Sequence, residues 1–158
     1  MNGKHEEFMK RAIEIAQKGI DSNAGGPFGA VVVKDGEIIA EGWNQVTSTN
    51  DPTAHAEVIA IRRACEKLES FQLEKCVLYT SCEPCPMCLG AIYWARPEKM
   101  YYAGTREDAA EAGFDDEFIY EEISGKIENR KIRSINLMRE EARVVFENWN
   151  NKPDKIKY

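Results

Sequence analysis

The order in which helix and strand patterns follow one another constrains the fold of this chain more than any other feature. The predicted order is helix, strand, strand, helix, strand, helix, strand, over residues of roughly 4–18, 30–33, 37–42, 54–68, 75–80, 84–96 and 99–103. Asp35-Gly36, between the first two strands, is typical of a tight hairpin turn, which requires positive φ. The last two strands are joined by a helix, which favours a parallel crossover. These patterns predict a three-layer α/β/α domain with a mixed sheet.

The C-terminal third of the chain has weaker patterns. Residues 109–123 are acidic with scattered apolar side chains, which indicates loop and short helix, and residues 132–138 are expected to form a fifth strand. Apolar residues then recur at i, i+3, i+4 and i+7, at Ala142, Val145, Phe146 and Trp149. This spacing predicts a last helix with one apolar face. No repeat, linker or low-complexity tract interrupts the chain, so its 158 residues are interpreted as one domain.

The composition argues against several classes of protein. Hydrophobic residues make up 43% of the chain, which is enough for a core and argues against disorder. The net charge of −6 argues against binding nucleic acid, which requires Lys and Arg to neutralise phosphates. No apolar run is long enough for a membrane span, and the N-terminus lacks an apolar signal core. A cytoplasmic protein is therefore expected.

Two of the five cysteines have the spacing of metal ligands. Cys85 and Cys88 stand three residues apart at the start of a predicted helix, so both sulfurs face the same side. The positive end of the helix dipole favours thiolate, which is the form that binds a metal. His55 begins another predicted helix, and zinc suits mixed thiolate and imidazole ligands. We interpret His55, Cys85 and Cys88 as ligands of one Zn²⁺ ion with an open fourth position, as in catalytic sites.

Glu57 is the candidate proton carrier beside this site. The segments 55–57 and 84–88 together match the His-x-Glu and Pro-Cys-x-x-Cys signature of zinc nucleobase deaminases. On a regular helix, residues two apart point to opposite sides, because one turn takes about 3.6 residues. His55 and Glu57 can therefore serve one site only if they lie in the first turn of their helix.

A structural zinc site is the alternative interpretation. Cys82 would join His55, Cys85 and Cys88 as a fourth ligand, and this closed site would have no position for catalysis. Cys82 precedes Pro84 and lies outside the predicted helix, and a closed site would leave the nearby glutamate without a function. The catalytic interpretation is therefore preferred.

Longer stretches of the sequence resemble the cytidine and deoxycytidylate deaminase superfamily, and within it the bacterial guanine deaminases. The matching stretches are 26–30, 50–57, 80–88, 91–96 and 108–116. The first three are shared with tRNA adenosine deaminases, whereas the acidic stretch around Asp115 and Asp116 resembles guanine deaminases. The resemblance implies a cytidine-deaminase-like fold with a mixed five-stranded sheet. It also implies hydrolysis of guanine to xanthine and ammonia, in which zinc-activated water attacks C2 and Glu57 transfers the protons.

The same resemblance implies a set of substrate contacts. Asn44 matches a base-contacting asparagine, with an ordinary turn residue as the alternative. Phe28 is expected to pack on the flat face of the base, with core packing as the alternative. Trp94 is expected to line the pocket or to be buried on its helix. Asp116 is expected to accept from the N–H donors of guanine, with Asp115 as the alternative.

The C-terminus carries the last implied contact. Tyr158 matches the terminal tyrosine of these enzymes, in which the last segment closes the site of the partner subunit. We therefore expect a homodimer that exchanges a segment of about 140–158 between its single deaminase domains, although polar tails are often disordered.

Three functions remain open at this point. The first is deamination of a small purine such as guanine, or of guanosine or an aminotriazine. The second is deamination of adenosine in tRNA, which the acidic charge disfavours. The third is a non-enzymatic zinc module.

Overall fold

The computed structural model describes residues 2–158, which divide into two compact units, one ending at Asp116 and the other running from Glu117 to Tyr158. The elements of the first unit are α1 (Asn2–Asp21), β1 (Gly29–Lys34), β2 (Glu37–Trp43), α2 (Val46–Thr49), α3 (Ala56–Leu68), β3 (Cys76–Cys82), α4 (Pro86–Ala95), β4 (Lys99–Gly104) and α5 (Arg106–Glu111). The second unit contains α6 (Glu117–Ser124), a 3-10 turn (Ile127–Asn129) and α7 (Arg139–Asn151). The α/β fold class that the sequence predicts is confirmed.

The sheet is mixed and has the strand order β2-β1-β3-β4. Strand β1 runs antiparallel to β2 and β3, while β3 and β4 are parallel, as expected for strands joined by helix α4. Asp35 and Gly36 both have positive φ, at 51° and 81°, which is the conformation that the predicted hairpin turn requires.

The prediction of a fifth strand is wrong, because the sheet has four strands among the described residues. Residues 132–138 lie in no helix or strand. Ile132, Ile135 and Leu137 are each at least 80% exposed, so no neighbouring strand covers this run. An apolar run becomes a strand only where an edge offers it backbone partners and side-chain contacts.

Helices cover both faces of the sheet, and strand β1 shows why. Its side chains alternate between the two faces, as strand geometry requires. Val31 and Val33 pack with Phe8 and Ala12 of α1 in one buried cluster. The other face carries a second cluster, whose buried members from β1, β2, α3, β3 and α4 include Ala30, Val32, Ala40, Ala56, Ala60, Ala64, Leu78 and Ile92. The three-layer prediction is therefore confirmed.

Two glycines allow helices to approach the sheet closely. A Cβ atom on Gly29 would lie 2.3 Å from the carbonyl oxygen of Ala12 in α1. A Cβ atom on Gly42 would lie 2.3 Å from the carbonyl oxygen of Ala56 and 2.6 Å from the amide nitrogen of Ala60, both in α3. Since backbone atoms cannot move aside as side chains do, these positions require glycine. The contact at Gly42 sets the start of α3, where the candidate site lies.

The unit from Glu117 to Tyr158 is helical, and its α7 confirms the last helix predicted from the sequence. None of the helices within residues 2–158 combines the length and the apolar character needed to cross a membrane.

Candidate metal centre and active site

Two helix starts carry the candidate metal ligands. His55 is the residue before α3 and Cys85 the residue before α4, and both have extended backbone conformations. Neither side chain caps its own helix. Pro86 then begins α4 at a position where its missing N–H costs nothing. Both side chains are consequently available to a common site between the two helix ends.

The structure brings His55, Cys85 and Cys88 together, as the sequence predicts. Nδ1 of His55 lies 3.6 Å from Sγ of Cys85 and 3.4 Å from Sγ of Cys88. A tetrahedral zinc ion, with bonds of about 2.3 Å to sulfur and about 2.0–2.1 Å to nitrogen, separates such atoms by about 3.6 Å. The chemistry and the spacing of this donor set therefore fit one zinc ion.

Cys82 stands apart from the candidate ligand group. Within residues 2–158, the cluster of metal-binding side chains consists of three members, His55, Cys85 and Cys88. The thiol of Cys82 instead faces the carbonyl oxygen of Thr105, with Sγ at 3.5 Å from it. Burial raises the pKa of Cys82 to about 11, so this thiol keeps its proton at neutral pH. The closed four-ligand site is therefore not the arrangement seen.

Electrostatics at the site favours one thiolate already in the protein alone. A hydrogen bond from Cys88, followed by one from His55, lowers the pKa of Cys85 to about 4. The same contact with Cys85, together with burial, raises the pKa of Cys88. The contact with Cys85 also raises the pKa of His55. A divalent cation would stabilise both sulfurs as thiolates, since metal ligands bind in their deprotonated forms.

Glu57 lies in the first turn of α3, where the sequence argument requires it. Its side chain is 6% exposed, and burial raises its pKa above that of an ordinary glutamate. The charges of Cys85 and His55 both act on the carboxyl group, so Glu57 is close to the ligand cluster. A nearly buried carboxyl group with a raised pKa beside a metal cluster is suited to accept and return protons.

Comparison with known proteins agrees with this geometry. The model of the cytidine and deoxycytidylate deaminase zinc-binding region matches residues 2–104. The chain belongs to this deaminase family. Its zinc-binding character agrees with a single zinc ion at His55, Cys85 and Cys88.

Two relatives and one solved structure define the similarity further. Guanine deaminase of Bacillus subtilis (strain 168) is 58% identical over 154 residues, which cover 98% of this chain and 99% of that protein. The X-ray structure of guanine deaminase from Bacillus subtilis has a TM-score of 0.95 and covers 98% of both chains. A tRNA-specific adenosine deaminase of Aquifex aeolicus (strain VF5) is 43% identical over 98 residues, covering 62% of this chain and 64% of that one.

Two of the predicted substrate contacts, Asn44 and Phe28, lie at the end of the sheet that is nearest the metal cluster. Asn44 directly follows β2 and is buried, and its Oδ1 accepts hydrogen bonds from the amides of Gly26 and Val46, both at 3.1 Å. Because these bonds hold the oxygen, the amide nitrogen of the side chain has a fixed direction. Phe28 directly precedes β1, and its ring meets the ring of Phe114 edge to face at a centroid distance of 5.0 Å.

Of the other predicted contacts, Trp94 and Tyr158 are exposed and Asp116 is half-buried. Trp94 lies on α4 with 64% of its surface exposed, so burial on the helix face does not describe it. Asp116 pairs with Arg106, whose Nε lies 3.4 Å from Oδ1 of the carboxylate. Tyr158 belongs to the unit from Glu117 onward and is 70% exposed.

Sequence reasoning missed two side chains of this region. Thr80 on β3 places its hydroxyl 3.4 Å from Oε1 of Glu57. Arg106 at the start of α5 pairs with Asp116, and its amide also donates to Glu83 at 3.4 Å. Arg106 lies inside the capping box of Thr105 and Asp108, which is a recognisable start of a helix. Thr80 has no such signal, because its role depends on which face of β3 it occupies.

Proposed function

We propose that this chain hydrolyses guanine to xanthine and ammonia with one zinc ion per chain. The observation that carries the proposal is the match to guanine deaminase over 98% of this chain, including the described metal cluster. The tRNA-specific relative of Aquifex aeolicus is less similar, at 43% identity against 58%, and the net charge of −6 supports a small purine over a polyanionic substrate.

His55, Cys85 and Cys88 are the proposed zinc ligands, and Glu57 is the proposed general acid–base. These three side chains would hold the zinc ion, which would supply an activated water for attack on the C2 carbon of guanine. Glu57 takes the proton from that water and passes it to a ring nitrogen. It then takes the proton of the hydroxyl group now on C2 and delivers it to the amino group, which leaves as ammonia while the oxygen remains as the new carbonyl of xanthine.

The proposed recognition of guanine uses Asn44, Phe28, Asp116, Trp94 and Tyr158. The fixed side-chain amide of Asn44 can donate to an acceptor of the base, and Phe28 can pack against its face. The Asp116 carboxylate, oriented by Arg106, can accept from the N1–H and amino groups of guanine. The exposed rings of Trp94 and Tyr158 can close the site, Tyr158 from the partner subunit.

A homodimer with an exchanged C-terminal segment of about 140–158 belongs to this proposal. Large apolar side chains of the segment are exposed in the single chain, among them Val145, Phe146 and Ile156. Exposed apolar patches of this kind mark surfaces that another chain covers. Tyr93 and Trp94 on α4 are exposed as well, and they offer a second aromatic contact.

We place the enzyme in the cytoplasm. None of the five cysteines, all of which lie among the described residues, forms a disulfide, which suits a reducing compartment.

A substrate panel tests the proposed function. Zinc-loaded protein is assayed for ammonia release with guanine, guanosine, adenine, cytosine and ammeline, and for inosine formation in a tRNA anticodon stem-loop. We expect the largest kcat/KM with guanine. Faster turnover of another compound would reassign the substrate, and inosine formation in the stem-loop would favour the tRNA function.

X-ray absorption at the zinc edge tests the ligand set separately. Two sulfurs, one imidazole nitrogen and one oxygen support the open catalytic site. Three sulfurs would add Cys82 and support the structural zinc module instead.

A further inference from the structure

Thr80 lies beneath the candidate active site on β3. Its neighbours in the sheet are Ala30 on β1 and Tyr102 on β4, and its side chain is 1% exposed. A hydroxyl buried this completely requires a hydrogen-bond partner. Two partners are within reach, the backbone carbonyl of Cys82 at 3.0 Å and Oε1 of Glu57 at 3.4 Å.

One hydroxyl can donate its single proton to only one of these acceptors at a time. The distance to Cys82 is at the long end of the usual range for such bonds, and the distance to Glu57 is beyond it. The hydroxyl therefore donates to the carbonyl of Cys82. Rotation of the hydroxyl turns its proton toward the carboxylate of Glu57 instead.

We propose that Thr80 is a positioning residue for the deamination reaction, and that its hydroxyl orients the Glu57 carboxyl group through the 3.4 Å contact with Oε1. This inference rests on the proposed function of Glu57. Without the hydroxyl, the carboxyl group would remain in place on α3 but would be poorly oriented toward the substrate.

The test compares Thr80→Val, Thr80→Ser and Ser81→Ala with the wild type, all as zinc-loaded protein. Valine keeps the branched shape of threonine and removes the hydroxyl, whereas serine restores the hydroxyl. Ser81 is the matched control, because its hydroxyl accepts from the amide of Gly29 at 3.0 Å on the neighbouring strand. Removing it perturbs the same strand without touching Glu57.

We expect Thr80→Val to lower kcat about tenfold and to leave KM within about twofold, because an interaction of the reacting carboxyl group is lost. Thr80→Ser should recover most of the rate, and Ser81→Ala should keep the wild-type kcat. Unchanged kcat in Thr80→Val, or equal losses in the valine and serine variants, would overturn the inference.

An infrared measurement needs no substrate and separates this inference from the proposed function. The C–O stretching band of Glu57 is assigned by subtracting the spectrum of Glu57→Gln from that of the wild type. We expect the band to shift in Thr80→Val and not in Ser81→Ala, and an unshifted band would overturn the inference. Absence of guanine turnover by the wild type would contradict only the proposed function.

Discussion

The two units of this chain handle their apolar side chains in opposite ways. In the unit ending at Asp116, α1 and α3 press apolar faces onto the two sides of the sheet, and two buried clusters result. Among residues 117–158 none is buried, although α7 has a clear apolar stripe. An amphipathic pattern thus predicts a helix correctly without revealing what covers it. In the first unit the cover comes from the same chain, and for α7 we propose that it comes from a second copy.

Breaking the metal cluster of the unit ending at Asp116 should have the largest effect. We expect Cys88→Ala to lose zinc and to reduce guanine turnover below detection, because two remaining ligands hold zinc poorly. Zinc content per chain, measured together with ammonia release, checks this. Cys82→Ala is the matched control and should retain one zinc per chain, since Cys82 faces Thr105 rather than the cluster. Loss of zinc in the control alone would contradict the proposed ligand set.

Removing the proton carrier should cost less than removing the metal. We expect Glu57→Gln to keep the fold and the zinc and to lower kcat by about 10²–10⁴-fold, the usual contribution of a general acid–base. The amide is nearly the same size as the carboxyl group, so packing in the first turn of α3 is preserved. Steady-state kinetics with a zinc assay checks this, and wild-type turnover in the variant would assign the buried carboxyl another role.

The metal cluster could be predicted from sequence because its information is local. His55 and Glu57 stand within one turn, and Cys85 and Cys88 within another, so spacing alone relates the members of each pair. Thr80 could not be found in this way. Its contact with Glu57 requires the pairing of β3 between β1 and β4 and the placement of α3 across that face. Such a contact is a property of the sheet and not of any short segment.

The predicted fifth strand failed for a related reason. Residues 132–138 carry apolar side chains that suit a strand, but strand formation depends on an available partner. In the described chain these side chains face solvent. Neither this run nor α7 has a sequence pattern that says which surface packs against its apolar side chains. Prediction from sequence is therefore limited in the same way for both.

A charge on the apolar stripe of α7 tests whether a second copy covers it. We expect Phe146→Asp to raise the dimer dissociation constant about a thousandfold, since each of two copies loses an aromatic contact of about 2 kcal/mol. Light scattering over a dilution series measures this. Asn148→Asp adds the same charge to an exposed position of α7 and should leave the mass unchanged. A variant that stays dimeric would show that the stripe is not the interface.

A methyl group at a close helix contact should destabilise the first unit. We expect Gly42→Ala to lower the free energy of unfolding by about 3 kcal/mol, because its Cβ would meet backbone atoms of Ala56 and Ala60. Urea unfolding measures the change. Gly90→Ala is the control and should raise the free energy of unfolding. Its Cβ meets nothing within 4 Å, and alanine favours the helix α4 by about 0.5–1 kcal/mol. Equal stabilities for the two variants would contradict the close packing of α3.

The smallest effect concerns a polar contact between α1 and its buried cluster. The Tyr79 hydroxyl lies 2.6 Å from Nδ1 of His5, and the Tyr79 ring stacks on Tyr101 at 5.1 Å. We expect Tyr79→Phe to cost about 1 kcal/mol of unfolding free energy, the net value of one hydrogen bond, and to leave activity unchanged. Tyr101→Phe keeps the stacked ring and should change stability by less than about 0.5 kcal/mol. If both variants lost the same free energy in urea unfolding, ring packing would hold α1 and the hydroxyl contact would contribute nothing. A difference between them would show that the first unit secures its helix with a directional bond as well as with apolar burial.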